Sequence, residues 1–91
     1  MTTEKSLSKK GLFDEEVGSG FKLVLYNDEY HTFDYVIDAL MDICKMDAIQ
    51  ATQCTYLVHY KQKYDVKQGS KEFLLPMRRA LAKRDLKAKI E

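Results

Sequence analysis

From Phe21 onward, apolar and polar residues follow one another with periods that change along the chain. In "FKLVLY", Phe21, Leu23 and Leu25 alternate with Lys22, Val24 and Tyr26, and the β-branched and aromatic content predicts a strand with at least one buried face. The run stops at Asn27 and Asp28, whose short polar side chains bond to nearby backbone and favour a turn. Phe33, Val36, Ile37, Leu40 and Cys44 then recur at helical spacing, with Asp34, Asp38, Asp42 and Lys45 on the other side. This is the pattern of a helix with a core-facing stripe. Thr32 or His31 precedes its first turn, where Asp34 opposes the positive end of the helix dipole.

"DAIQ" opens a second helix, with Asp47 placed to cap the amide of Gln50 and Gln50 placed to reach back. Ala48, Ala51, Thr52, Thr55, Val58 and His59 share one side of it, and Thr55 and His59, four residues apart, are close neighbours. In "KYDVKQGS", Tyr64 and Val66 alternate with Asp65 and Lys67 before a break at Gly69, a short strand and a turn. Ser70 is placed to cap a third helix, along which Phe73, Met77, Ala80, Leu81 and Arg84 keep helical spacing. Pro76 lies six residues past that cap and removes a backbone donor, so a kink is expected there, or a helix that begins near Leu75. "LKAKI" alternates Leu86, Ala88 and Ile90 with Lys87 and Lys89, an edge strand blunted by lysines. The order β-α-α-β-α-β predicts an α+β sandwich, a three-stranded antiparallel sheet packed on three helices.

Length and composition narrow the possibilities. The chain of 91 residues holds one domain at most; residues 1–20, rich in Ser, Lys, Glu and Gly, read as a mobile tail, and residues 21–91 as the folded core. With 45% apolar residues, six Tyr and four Phe, the composition is that of a folded protein, but so small a core has little room for an internal active site. No stretch approaches the roughly 20 apolar residues of a membrane span, and the first 20 residues have no apolar signal-peptide segment, so a cytoplasmic location is expected. In that reducing setting Cys44 and Cys54, on neighbouring helices without close spacing, read as small buried apolar residues.

The net charge of +1 hides a division: residues 27–47 sum to −5 and residues 77–91 to +4. The acidic end suits a cationic ligand and the basic end an acidic partner. The basic residues fall on a helix face and an edge strand without an aromatic platform, which argues against nucleic acid. No glycine loop for phosphate and no recognised metal-ligand spacing is present, and no cofactor is expected. His59 beside Thr55 is the only local pair of nucleophile and base, and nothing in the sequence supplies an oxyanion hole. What remains is the group of acceptors Asn27, Asp28 and Glu29 at a strand end, together with a polar edge of Thr52, Thr55 and His59 on the second helix. The plain alternative is that Asn27 and Asp28 only shape the turn.

"LVLYNDEYHTFDYVIDAL" followed by "DAIQATQCTYLVHY" resembles the ClpS family, adaptors of ATP-dependent Clp proteases, in which an N-D-[DE] turn precedes a first helix and a second helix ends in V-H. The resemblance spans residues 21–60 and extends more loosely to residue 90. It implies a fold similar to the C-terminal domain of the ribosomal stalk protein. It also implies a non-enzymatic, monomeric adaptor that binds the first residue of proteins marked for degradation and hands them to the N-terminal domain of a ClpA- or ClpC-like AAA+ ATPase, the tail before Phe21 serving delivery.

By correspondence, the α-amino group would be held at Asn27, Asp28, Glu29, His31, Thr32 and His59, with His59 neutral. The side chain of an N-terminal Phe, Leu, Tyr or Trp would enter a pocket of Phe33, Val36, Thr55, Val58 and Leu86, and Glu72 matches an acidic position that docks the ATPase. The chain departs from the family where His31 replaces a usual Thr, where Met77 stands for a Lys, and where Thr55 replaces a customary Met; the last change implies a wider, less purely apolar pocket with a shifted preference. Two rival readings are an interaction domain of the same fold whose ligand is not a free N-terminus, or which regulates Clp ATPase activity, and a hydrolase built on His59.

Overall fold

The computed structural model describes residues 20–91, so the expected tail lies almost wholly outside the described residues. Its elements are β1 (Phe21–Tyr26), α1 (Phe33–Ile43), α2 (Ala48–Lys61), β2 (Lys63–Gly69), α3 (Lys71–Lys83) and β3 (Ala88–Ile90). The strands form one antiparallel sheet in the order β2-β1-β3, the α+β arrangement expected from the patterning. β1 is central, with Leu23 and Leu25 on the helix-facing side. They join Leu40 and Cys44 of the α1 region, Ala51 and Val58 of α2, and Leu74 and Leu81 of α3 in one core. Val24, on the other face between Asp65 and Lys89 of the flanking strands, is buried as well.

Each helix begins at a residue whose side chain satisfies a backbone donor left free by the first turn. Thr32 accepts from the amide of Tyr35 at 3.1 Å, Asp47 from that of Gln50 at 2.8 Å, and Ser70 from that of Phe73 at 3.0 Å. α3 starts at Lys71 and contains Pro76, so of the two outcomes expected at this proline, a kink or a start near Leu75, the later start is ruled out. Pro76 lies on the exposed side, and Glu72, whose carbonyl it leaves without an amide partner, is an exposed residue as well. The buried Leu74 and Leu81 hold the opposite side of the helix in the core.

The last strand is shorter than the alternation predicts. Leu86 belongs to the end of α3: its amide donates to Leu81 at 3.0 Å and that of Asp85 to Ala82 at 2.9 Å, while Asp85 adopts φ 65°. This is the double hydrogen bond of a Schellman terminator, with Leu86 and Leu81 as its buried apolar pair. A second departure is a bulge in β2, where the register with β1 shifts between Leu23 and Val24 and leaves Val66 without a partner. Lys67 is thereby aimed at the helices, and its ammonium donates to the carbonyl of Cys44 at 3.3 Å, the negative end of α1.

Cys44 is fully buried, and burial pushes its thiol up to about 11; Cys54 is half-buried, and both thiols are free. Cys44 is an inert packing residue, whereas Cys54, expected to be buried, packs against the core with part of its surface open. No described helix is long and apolar enough to cross a membrane.

Candidate functional site

β1 ends at Tyr26, and the chain must turn sharply to enter α1 at Phe33. Asp28 makes that turn. One carboxylate oxygen accepts the amides of Tyr30 and His31, both at 2.8 Å, and the other lies 2.8 Å from His31 Nδ1. Partial burial works to raise its pKa, but the amide and ring of His31 and the amide of Tyr30 outweigh it and hold the carboxyl below its ordinary value. An ionised carboxylate only accepts, so Nδ1 of His31 carries the proton. The imidazole is fixed on its other side by stacking on Tyr35, centroids 4.7 Å apart, and its Nε2 lies 3.7 Å from Asp85.

The opposite wall comes from α2. Its last turn carries His59, and the helix is stopped by Gln62, which adopts a left-handed φ of 72°. Gln62 joins the two walls. Its carbonyl accepts the Asn27 amide at 2.9 Å, its side-chain oxygen lies 3.5 Å from Asn27 Nδ2, and its Nε2 donates to the carbonyl of His59 at 2.9 Å. With the amide nitrogen of Asn27 engaged in this way, its Oδ1 remains as a lone-pair donor. His59 leans its ring edge on Phe33 at 5.3 Å and on Tyr60 at 5.6 Å.

Between these walls lies a cavity of about 190 Å³. Asn27, Asp28, Glu29, His31 and His59 line it with polar groups; Leu25, Phe33, Val36, Val58 and Leu86 are apolar, and Tyr26 and Thr55 complete it. No lysine or arginine is among the lining residues. The volume is below the range of pockets for drug-sized molecules, but it exceeds a cavity of about 150 Å³ that accommodates benzene. It therefore suits one bulky side chain with a small polar head.

Residues 18–89 match the family described as ATP-dependent Clp protease adaptor protein ClpS. The chain belongs to the ClpS family. The ATP-dependent Clp protease adapter protein ClpS of Salmonella gallinarum is 40% identical over 45 residues, 50% of this chain and 42% of that protein. Its counterpart from Sodalis glossinidius is 34% identical over 67 residues, 67% of this chain and 63% of that one. The chain thus spans less than two thirds of the length of these curated ClpS relatives. The solved structure of Agrobacterium tumefaciens ClpS2 bound to L-phenylalaninamide has the same fold, with a TM-score of 0.74 at 18% identity, over 80% of this chain and 95% of that one.

Of the residues that the ClpS resemblance singles out, five of the six amine-binding candidates line the cavity: Asn27, Asp28, Glu29, His31 and His59. Thr32 does not; its hydroxyl is the cap of α1. The pocket candidates Phe33, Val36, Thr55, Val58 and Leu86 all line the cavity, while Glu72 lies apart from it on the exposed first turn of α3. Thr55 is 3% exposed, and its hydroxyl donates to the Ala51 carbonyl at 2.8 Å. Its proton is directed back into the helix, so the Thr55 wall is less polar than the sequence implies. The sequence reading missed Gln62, whose one signal was a polar residue just past a helix end, and Leu25 and Tyr26, which read only as strand residues.

Proposed function

We propose that the chain is an adaptor that binds the N-terminal residue of substrate proteins and delivers them to a Clp AAA+ ATPase. The observation that carries this reading is the make-up of the cavity: lone pairs and negative charge on one side, hydrocarbon on the other, and room for about one residue. A peptide α-ammonium has three donors and a positive charge. Asn27 Oδ1, the Asp28 carboxylate and neutral His59 are its acceptors, Asp28 acting directly or through one water, and Glu29 adds to the field at the rim. His31 keeps the Asp28 carboxylate in register instead of meeting the ligand itself.

The first side chain, an N-terminal Phe, Leu, Tyr or Trp, enters among Phe33, Val36, Thr55, Val58 and Leu86. Its burial contributes about 2–3 kcal/mol, and each charge-assisted hydrogen bond about 1.5–3 kcal/mol before desolvation, which together place the complex near micromolar. The chain performs no chemistry on its ligand and acts in the cytoplasm as a monomer. The partner is the N-terminal domain of a ClpA- or ClpC-like ATPase, with Glu72 in the docking surface. Kinship with adaptors of Clp proteases and with a ClpS2 that binds L-phenylalaninamide supports this reading.

Fluorescence anisotropy with labelled peptides tests it. Peptides beginning with Phe or Leu bind at about micromolar Kd, and acetylation of their amine weakens binding at least about a hundredfold, the loss of two charge-assisted bonds. Equal affinity for the free and acetylated forms would sink the reading.

A further inference from the structure

The helices cover one face of the sheet, and the other face turns Lys22, Val24 and Tyr26 of the central strand outward. Across from them stand Lys63 and Asp65 on the β2 side, and Lys87, Lys89 and Glu91 on the β3 side. The ammoniums of Lys63, Lys87 and Lys89 lie 5.6, 5.1 and 5.5 Å from the centroid of the Tyr26 ring, within reach of cation–π attraction. That ring is itself tied down, its hydroxyl donating to the Glu91 carboxylate. Lys22 is paired with Asp65 at 3.5 Å, but among the described residues none of the other three ammoniums is in a salt bridge. A lysine that only blunts a sheet edge can carry its charge out into solvent. These three come from both flanking sides and gather over the middle strand, where they repel one another.

We propose that this face docks an acidic segment of a partner protein, an extended peptide with Glu or Asp at alternate positions, held by Lys63, Lys87 and Lys89 around Tyr26. Alternate side chains of an extended segment fall on one side at intervals of about 6.6–6.8 Å, matching the two-residue spacing of Lys87 and Lys89. Carboxylates placed there exchange repulsion among the ammoniums for attraction, and the fixed ring beneath keeps the three cations converged. Nucleic acid fits less well. The face holds no arginine and one ring in place of a run of stacking platforms, and β1 passes directly from Tyr26 into Asn27, Asp28 and Glu29, whose carboxylates repel a polyphosphate longer than the patch. A short acidic run ends before that turn. Of the residues on this face only Tyr26 also lines the cavity, so the inference does not rest on the reading of the cavity, and a partner docked here leaves the cavity open.

Fluorescence anisotropy with a labelled, N-acetylated peptide carrying Glu at three alternate positions tests the docking face, with the Gln counterpart and a single-stranded oligonucleotide of equal charge as the other arms. The blocked amine keeps the α-ammonium out of the measurement. Each probe is titrated with the unaltered chain and with the variant Lys63→Gln, Lys87→Gln, Lys89→Gln, whose three positions are exposed and whose thermal midpoint reports that it is folded. The unaltered chain binds the Glu peptide about tenfold tighter than the Gln peptide at low salt, and the preference shrinks in about 1 M salt. The triple variant shows no preference. Equal affinity for the two peptides, or a preference that survives the triple substitution, overturns the docking face. Tighter binding of the oligonucleotide than of the Glu peptide assigns the face to nucleic acid and overturns it as well. A full chain with Asp14→Asn, Glu15→Gln and Glu16→Gln settles the remaining occupant. A several-fold gain in its affinity for the Glu peptide makes the chain's own acidic run the occupant and overturns the partner, and an unchanged affinity supports the partner.

Discussion

Asp28 accepts three hydrogen bonds within its own turn, and its carboxyl is held below the ordinary value, so the group links protonation to folding. A lowered folded-state pKa contributes stability above the unfolded value, near 3.9, that disappears as pH falls through the folded value. Asn at this position keeps an acceptor for the two amides but loses the charge and the acceptor for His31. Asp28→Asn is therefore expected to cost about 1 kcal/mol at neutral pH, and the difference from the unaltered chain should fade below about pH 4. Urea unfolding of both chains from about pH 7 to about pH 3 checks this; a gap that does not change with pH would assign the effect to shape alone. At this scale the sequence was informative where a side chain acts on its own neighbourhood. Asn27 and Asp28 read as a turn because Asx side chains bond backbone two or three residues away. Gln62 was illegible, because its role depends on Asn27, which is 35 residues distant in the chain and adjacent only after folding.

Among the elements, the helix starts were the most legible features, since Thr32, Asp47 and Ser70 are local signals that no tertiary contact overrides. The later helix start expected at Pro76 failed for the complementary reason. The cost of the proline is local and real, but the burial of Leu74 and Leu81 on the other side of α3 exceeds it, and an exposed proline displaces nothing in the core. Pro76→Ala restores a donor to the Glu72 carbonyl and is expected to raise stability by about 1–2 kcal/mol, the gain in the helix being offset in part by a more flexible unfolded chain. A shift of the urea midpoint to higher concentration, with the slope unchanged, is the outcome that checks it. The bulge in β2 and the short β3 escaped the alternation rule because both are set by what the strand must reach. Lys67 has to meet the end of α1, and Leu86 has to terminate α3 and still wall the cavity.

In the molecule as a whole, the acidic segment and the cavity coincide. Two of the six acids between residues 27 and 47, Asp28 and Glu29, line the cavity, while Asp42 is paired with Arg84 of the basic segment. The charge division read from the sequence is thus partly an internal tie and partly a field directed at one opening. A ligand that fits that opening stabilises the folded chain by mass action. L-phenylalaninamide at about a hundred times its Kd is expected to add about 2.7 kcal/mol, seen as a rise in the thermal midpoint, and its N-acetyl derivative at the same concentration should add almost nothing. The family and the general fold were legible because the N-D-E turn and the V-H helix end stand at a fixed separation in the sequence. The size of the hollow between them was not, since it depends on how three helices settle on the sheet.

Gln62 has a consequence for the life of the chain. Because one residue ties the amide of Asn27 to the last turn that bears His59, neither acceptor is set until a loop of some thirty residues has closed. A nascent or partly unravelled copy therefore has no grip. On the adaptor reading proposed above, capture of an N-terminal residue would be confined to copies that have completed their own folding.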